Sequence, residues 1–194
     1  MKTAFIIGNG PTRKDINLDN LVGKGTIFAC NALYRDFDKY DYLISIDKSF
    51  QEIIEEHWGK EKDSRIIFPP DHECYEHEDY SKQRRRSNAG MNAMLEAIKR
   101  KHDKLFCLGF DFLITDDKKS TDNIYKDTEG YGIETHANAS DNIHRVNYLN
   151  WFMNKHSDVR FTFVLPQVEV FSLDADNAYG ILTENFIKNY AGDK

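Results

Sequence analysis

The strongest constraint on the fold is a recurrence of short, almost uninterrupted apolar runs, at residues 4–7, 26–30, 42–46, 66–68, 105–110 and 161–165. Each is rich in Ile, Phe, Val or Tyr and too short for a helix, as expected of strands covered on both faces. Helical patterns fall between several of them. Met91, Leu95 and Ile98 share one face of a segment starting near Asn88, and Ile143, Val146, Leu149 and Met153 share one face after Asp141. This alternation predicts an α/β fold, a single Rossmann-like domain over residues 1–194 whose mostly parallel sheet is flanked by helices. A chain of 194 residues buries a sufficient core for that. Two polar stretches, 69–87 and 114–135, are long for internal connections and are expected as lid loops. Residues 167–194 carry Ile181, Leu182, Phe186 and Ile187 at helical spacing and are expected to end the chain as a docked helix.

Sheets of this kind bind ligands beyond the carboxyl ends of their strands, so the residues after each run are where chemistry is expected. They are Gly8, Asn9, Gly10 and Thr12 after the first run, Asn31 after the second, Asp47 after the third, and Gly109, Phe110 and Asp111 at the end of the fifth. Gly8 and Gly10 permit close backbone approach to a phosphate, or equally a tight strand-to-helix turn, because the pattern is neither a dinucleotide fingerprint nor a P-loop. Asp47 suits a ribose hydroxyl, Mg²⁺, or the N-cap of a helix beginning near Ser49.

Net charge is −6, which argues against nucleic-acid binding through a basic surface. Cys30, Cys74 and Cys107 are odd in number and form no pairwise motif, so reduced thiols are expected. With apolar residues from position 4 onward and no run long enough to span a bilayer, the expectation is a cytoplasmic protein without a transmembrane segment. A homo-oligomer is compatible with the sequence, which does not decide the matter.

The order of short motifs is more specific than any one of them. Gly8-Asn9-Gly10-Pro11-Thr12 is followed by Cys30-Asn31 with Tyr34, by Arg86 leading into Ala89-Gly90 and a helix, and by Leu108-Gly109-Phe110-Asp111-Phe112. His136 with Asn138 and Asp141 comes next, then Val164-Leu165-Pro166. Over roughly residues 1–166 this resembles the bacterial sialyltransferases that decorate lipooligosaccharides. The resemblance implies a Rossmann-like domain with a lid that transfers a sugar from a CMP-sugar to a glycan hydroxyl, inverting, with no required metal or other cofactor. It further implies that Asn9 and Asn31 contact the nucleotide, that Gly109 to Asp111 hold base or ribose, that Asn88, Ala89, Gly90 and Asn138 face the substrate, and that His136 is the general base. Two positions depart from the family: Ala89 stands where a serine meets the donor carboxylate, and Leu113 where a tyrosine steadies the departing phosphate. A looser likeness, through the Gly-Asn-Gly-Pro opening and Tyr40-Asp41-Tyr42 to Asp47, is to the archaeal hydroxymethylpterin diphosphokinase-like group, in which Mg²⁺ and ATP replace the sugar nucleotide. A non-catalytic nucleotide-binding domain is the third alternative.

Histidine suits proton abstraction from a hydroxyl because its ordinary pKa is about 6.5. His136 lies between a polar loop and a helix, where it is either that base or an ordinary surface histidine, with His144 as the second candidate. For the leaving group, Tyr125 and Tyr131 are available to replace the missing tyrosine. Arg86, last of Arg84-Arg85-Arg86, stands before a helix start where an anion is favoured and fits phosphate or carboxylate bidentately. His72, Cys74 and His77 match no standard zinc spacing, so no metal site is expected there, and the surrounding acidic segment reads as a lid with Tyr75 and Tyr80.

Overall fold

The computed structural model describes residues 1–59, 63–70 and 74–192. The apolar runs become parallel strands: β1 Thr3–Ile7, β2 Thr26–Cys30, β3 Tyr42–Ile44, β4 Ile66–Ile67, β5 Lys104–Leu108 and β6 Arg160–Leu165. A further strand, β7 Ala178–Leu182, completes a seven-stranded sheet of order β4-β3-β2-β1-β5-β6-β7. Every pairing is parallel, with Ile6 of β1 opposite Phe28 of β2 and Cys107 of β5. This is the α/β, Rossmann-like architecture that the alternation predicts.

The runs are apolar throughout because each feeds two cores. Ala4, Ile6, Phe28, Cys107 and Phe161 point to one face, under helices α2 (Ala89–Lys99) and α4 (Ala139–Lys155). Phe5, Ile7, Ile27, Phe106 and Leu108 point to the other, with Phe50 and Ile54 of α1 (Lys48–Trp58). Alternate residues of a strand face opposite sides, so a strand between two helical layers has no polar face to show. Two short helices complete the set, α3 (Asp117–Ser120) and α5 (Thr183–Phe186), the latter running on into a wide turn over Ile187–Ala191.

Several expectations are corrected. The fifth run stops at Leu108 rather than residue 110, because Gly109 turns the chain with φ 70°. The third stops at Ile44. Ile143 is exposed, whereas Val146, Leu149 and Met153 are buried. Residues 167–194 do not form one helix: Ile181 and Leu182 belong to β7, and only Phe186 and Ile187 lie in helical turns. A pair of adjacent apolar residues fits either period, and here pairing with β6 decides. Within 69–87, Tyr75 bridges Arg86 as a narrow antiparallel pair, while His72 lies outside the described residues. Among the described residues no helix is long and apolar enough to cross a membrane.

Candidate functional site

Strand order reverses between β1 and β5, since the chain steps from β1 outward to β4 on one side and from β5 outward to β7 on the other. At such a switch point the segments leaving neighbouring strands diverge and open a crevice. Here the two turns forming its floor are stitched together. Gly8 N–H donates to Leu108 O at 2.8 Å and Gly10 N–H to Gly109 O at 3.1 Å. A Cβ on Gly109 would lie 2.7 Å from Gly8 O, and one on Gly10 would lie 2.3 Å from Asp111 Cγ. The glycines are therefore required by contact between turns, and the Gly8 and Gly10 amides are already used; this corrects the expectation that they cradle a phosphate.

The neighbouring side chains extend the same bracing. Thr12 donates its amide to Asp111 Oδ2 at 3.1 Å and its hydroxyl to Asp111 Oδ1. Burial raises the Asp111 pKa, and the two Thr12 hydrogen bonds oppose the rise. Asn9 donates Nδ2 to Cys30 O at 3.0 Å, and buried Arg13 donates Nε to Gly8 O at 2.9 Å. Thr12 thus holds Asp111 and does not line the crevice.

Above this floor opens a cleft of about 410 Å³. Gly8, Asn9, Gly10, Asn31, Asp47, Arg86, Asn88, Ala89, Gly90, Gly109, Phe110, Asp111 and His136 all line it, so residues from distant parts of the chain converge. Asp47 stands at the N-cap position of α1 but its side chain makes no capping hydrogen bond, and it is an exposed residue of the cleft lining. Asn88 both lines the cleft and caps α2, its Oδ1 accepting from Met91 N at 3.0 Å.

Two expected site residues, Tyr125 and Asn138, have other work. Tyr125 is buried away from the lining, its hydroxyl donating to Asp36 and accepting from Arg13 at 3.3 Å; burial first, then the Asp36 contact, drives its pKa up. It pins the loop after α3 to the body of the domain and is not a leaving-group donor. Asn138 caps α4 by accepting from Asp141 N at 2.9 Å, outside the lining. His144 is also absent from the lining.

His136 enters the cleft from the second polar stretch, with Nε2 3.1 Å from Asp127 Oδ1. Asp127 has φ 63°, a left-handed conformation uncommon outside glycine, and its amide donates to Tyr131 O at 2.9 Å. A carboxylate accepts from Nε2–H, and in the neutral imidazole that pairing leaves the lone pair on Nδ1.

Four buried polar atoms on the cleft's residues make no hydrogen bond of ordinary length and angle: Asn31 Oδ1, Tyr131 OH, Arg86 Nε and Arg145 Nε. Buried polar groups are nearly always paired, and such orphans gather where a ligand completes the network. Asn31 is itself held at φ 48°. Tyr131, the alternative to Tyr125, does line the cleft; burial pushes its pKa up to about 12 despite the nearby polar groups of Asn9, Ala32 N–H and Asn31.

Arg86 Nη1 lies 2.7 Å from Asp141 Oδ1, and the same oxygen accepts from Tyr80 OH at 2.7 Å. Burial works against the Arg86 charge, but pairing with Asp141 leaves its pKa raised. Arg145, one turn further along α4, was not among the residues singled out from sequence. It donates Nη1 to Asn142 Oδ1 at 2.8 Å; burial first, and the neighbouring Arg86 charge second, lower its pKa to about 10, so it stays protonated at neutral pH. Its signal was a polar pair, Asn142 and Arg145, at the spacing that continues the buried stripe of Val146, Leu149 and Met153.

Fold and cleft together define a Rossmann-like α/β protein with a polar cleft at the switch point of its sheet. Comparison with models of known families, with curated proteins and with solved structures finds no match to this chain. Among the described residues no group of three or more His, Cys, Asp or Glu side chains is placed to hold a metal ion.

Proposed function

We propose that the protein is a glycosyltransferase that takes a CMP-sugar or related nucleotide sugar into the switch-point cleft and passes the sugar to an acceptor hydroxyl. The observation that carries this reading is the meeting, in one cleft, of a carboxylate-paired histidine with buried polar atoms that make no hydrogen bond of ordinary length and angle. The residue order that resembles the sialyltransferases supports it. Asn31 Oδ1 and the Tyr131 hydroxyl are suited to the hydroxyl and amino groups of a nucleoside. Arginine guanidiniums suit the negative charge gathering on the departing phosphate. In the proposed step His136 Nδ1 takes the acceptor hydroxyl's proton. The acceptor oxygen then forms its bond to the anomeric carbon as the carbon–oxygen bond to the phosphate breaks, and the electron pair leaves with the nucleotide.

The test is a thermal-shift screen of CMP, CMP-sialic acid, UDP-sugars, GDP-sugars and ATP with Mg²⁺, because a ligand that prefers the folded state raises the unfolding temperature. A CMP-sugar is expected to give the largest rise. His136→Ala should then lower transfer by about 10²–10⁴-fold while leaving nucleotide binding intact. No stabilisation by any nucleotide sugar would defeat the proposal. Asp47 favours one other reading, since its side chain makes no capping hydrogen bond and it lines the cleft, where it would serve as a single carboxylate to Mg²⁺ held mainly by the phosphates of ATP. Stabilisation by Mg-ATP alone, abolished by EDTA, would support that diphosphokinase-type activity instead.

A further inference from the structure

The two arginines on the α2 and α4 side of the cleft have more positive charge than their surroundings account for. Asp141 supplies one carboxylate, and both Arg86 and Tyr80 use its Oδ1. Arg145 has a single side-chain acceptor, the neutral Asn142 amide; Arg86 also reaches the Cys74 thiol, a weak acceptor, and the buried Nε of each guanidinium makes no hydrogen bond of ordinary geometry. The cleft's other carboxylates do not resolve this. Among the described residues none of Asp47, Asp111, Asp122 and Glu134 makes an ion pair with either guanidinium; Asp122 lies near Asp111, and Asp47 is felt at the Cys74 thiol together with both arginines. The capped start of α2, with Asn88, Ala89 and Gly90 in the lining, adds the positive end of a helix of eleven residues.

We infer that Arg145 and Arg86 form an oxyanion subsite in which a phosphate or carboxylate of the bound substrate bridges the two guanidiniums. The inference builds on the proposed use of the cleft and assigns Arg145 as a residue that determines which substrates are accepted. Guanidinium edges present paired donors that match the oxygens of either anion, and an anion between them relieves their mutual repulsion and fills the open donor positions. Such a subsite has two sources of ligand, the nucleotide's own phosphate or an anionic group elsewhere on donor or acceptor. The floor supplies little toward either, because the Gly8 and Gly10 amides are committed to Leu108 and Gly109.

The experiment titrates inorganic phosphate into the intact protein by calorimetry, alone and with the cleft saturated by CMP. Wild type is expected to bind phosphate at roughly millimolar or lower concentration, with Arg145→Met weakening it at least about tenfold and Arg145→Lys falling between them. Competition by CMP assigns the subsite to the nucleotide's phosphate; simultaneous binding assigns it to another anionic group. A residue kept for a ligand does little for the empty fold, so Arg145→Met should unfold within about 4 °C of wild type. Absence of phosphate binding in wild type, equal binding by Arg145→Met, or a large loss of stability in that variant would each overturn the subsite. Phosphate binding needs neither a sugar nor His136, so a failed donor screen and a failed phosphate titration are separate outcomes.

Discussion

Replacing Asp141 by Asn removes the charge that latches Tyr80 and Arg86 to the start of α4. Asp141 Oδ1 holds Arg86 at 2.7 Å and Tyr80 at 2.7 Å, and the carboxylate is nearly closed off from solvent, at 8% exposure. Deleting one partner of a buried ion pair costs about 3–5 kcal/mol. Arg86 retains 19% exposure and its stacking over Tyr75, and an amide oxygen can still accept from Tyr80, which places Asp141→Asn near the lower end, about 3 kcal/mol. For a chain of this size that is roughly 6–12 °C in unfolding temperature. Burial alone would raise the Asp141 pKa, but the Tyr80 hydrogen bond and the Arg86 charge hold it below its ordinary 3.8. A depressed carboxylate pKa contributes stability above the unfolded value, and that contribution disappears as pH falls through the native value. The gap between wild type and Asp141→Asn, measured by circular dichroism in urea, should therefore be constant from about pH 7 to 5 and shrink below 3.8. A variant unfolding within about 2 °C of wild type at pH 7 would refute the latch. So would a gap unchanged in acid.

Gly109→Ala puts a Cβ 2.7 Å from the Gly8 carbonyl oxygen at φ 70°, and the atoms it meets are main chain, not a flexible side chain. It should cost at least about 2 kcal/mol by denaturant unfolding, whereas Gly23→Ala, at φ 79° in open space, should cost only the conformational strain of about 1 kcal/mol. Equal losses would show that the contact between turns contributes nothing. Tyr125→Phe deletes the donor to Asp36 and should lower stability by about 1–3 kcal/mol with nucleotide affinity unchanged. A fall of tenfold or more in affinity at wild-type stability would return Tyr125 to the site.

What the sequence disclosed of the site followed from strand ends. An apolar run that breaks into Gly8-Asn9-Gly10 or Gly109-Phe110-Asp111 announces where a buried strand surfaces, and parallel pairing brings those breaks to the same edge of the sheet. It did not disclose how the polar groups there divide between ligand and scaffold. Thr12, Tyr125 and Asn138 have the same chemistry as residues that do line the cleft, and only their neighbours Asp111, Asp36 and the Asp141 amide show that they are already engaged. Arg145 was hidden for the opposite reason. A charged residue on an amphipathic helix normally faces water, and here Asn142 and Arg145 in the first turns of α4 line the cleft. β7 was missed because Ile181 and Leu182 are adjacent, a spacing with no period of its own.

The stitched turns have a consequence for how this scaffold can change. Nucleotide-binding loops that grip anions through main-chain amides tie recognition to the path of the chain, so altering the ligand means rebuilding the loop. Here the amides of Gly8 and Gly10 hold β1 against β5, so the proposed use of the cleft leaves discrimination to side chains carried by separate helices and loops. On that proposal, replacing single side chains changes the preference while the hydrogen bonds between the turns stay as they are.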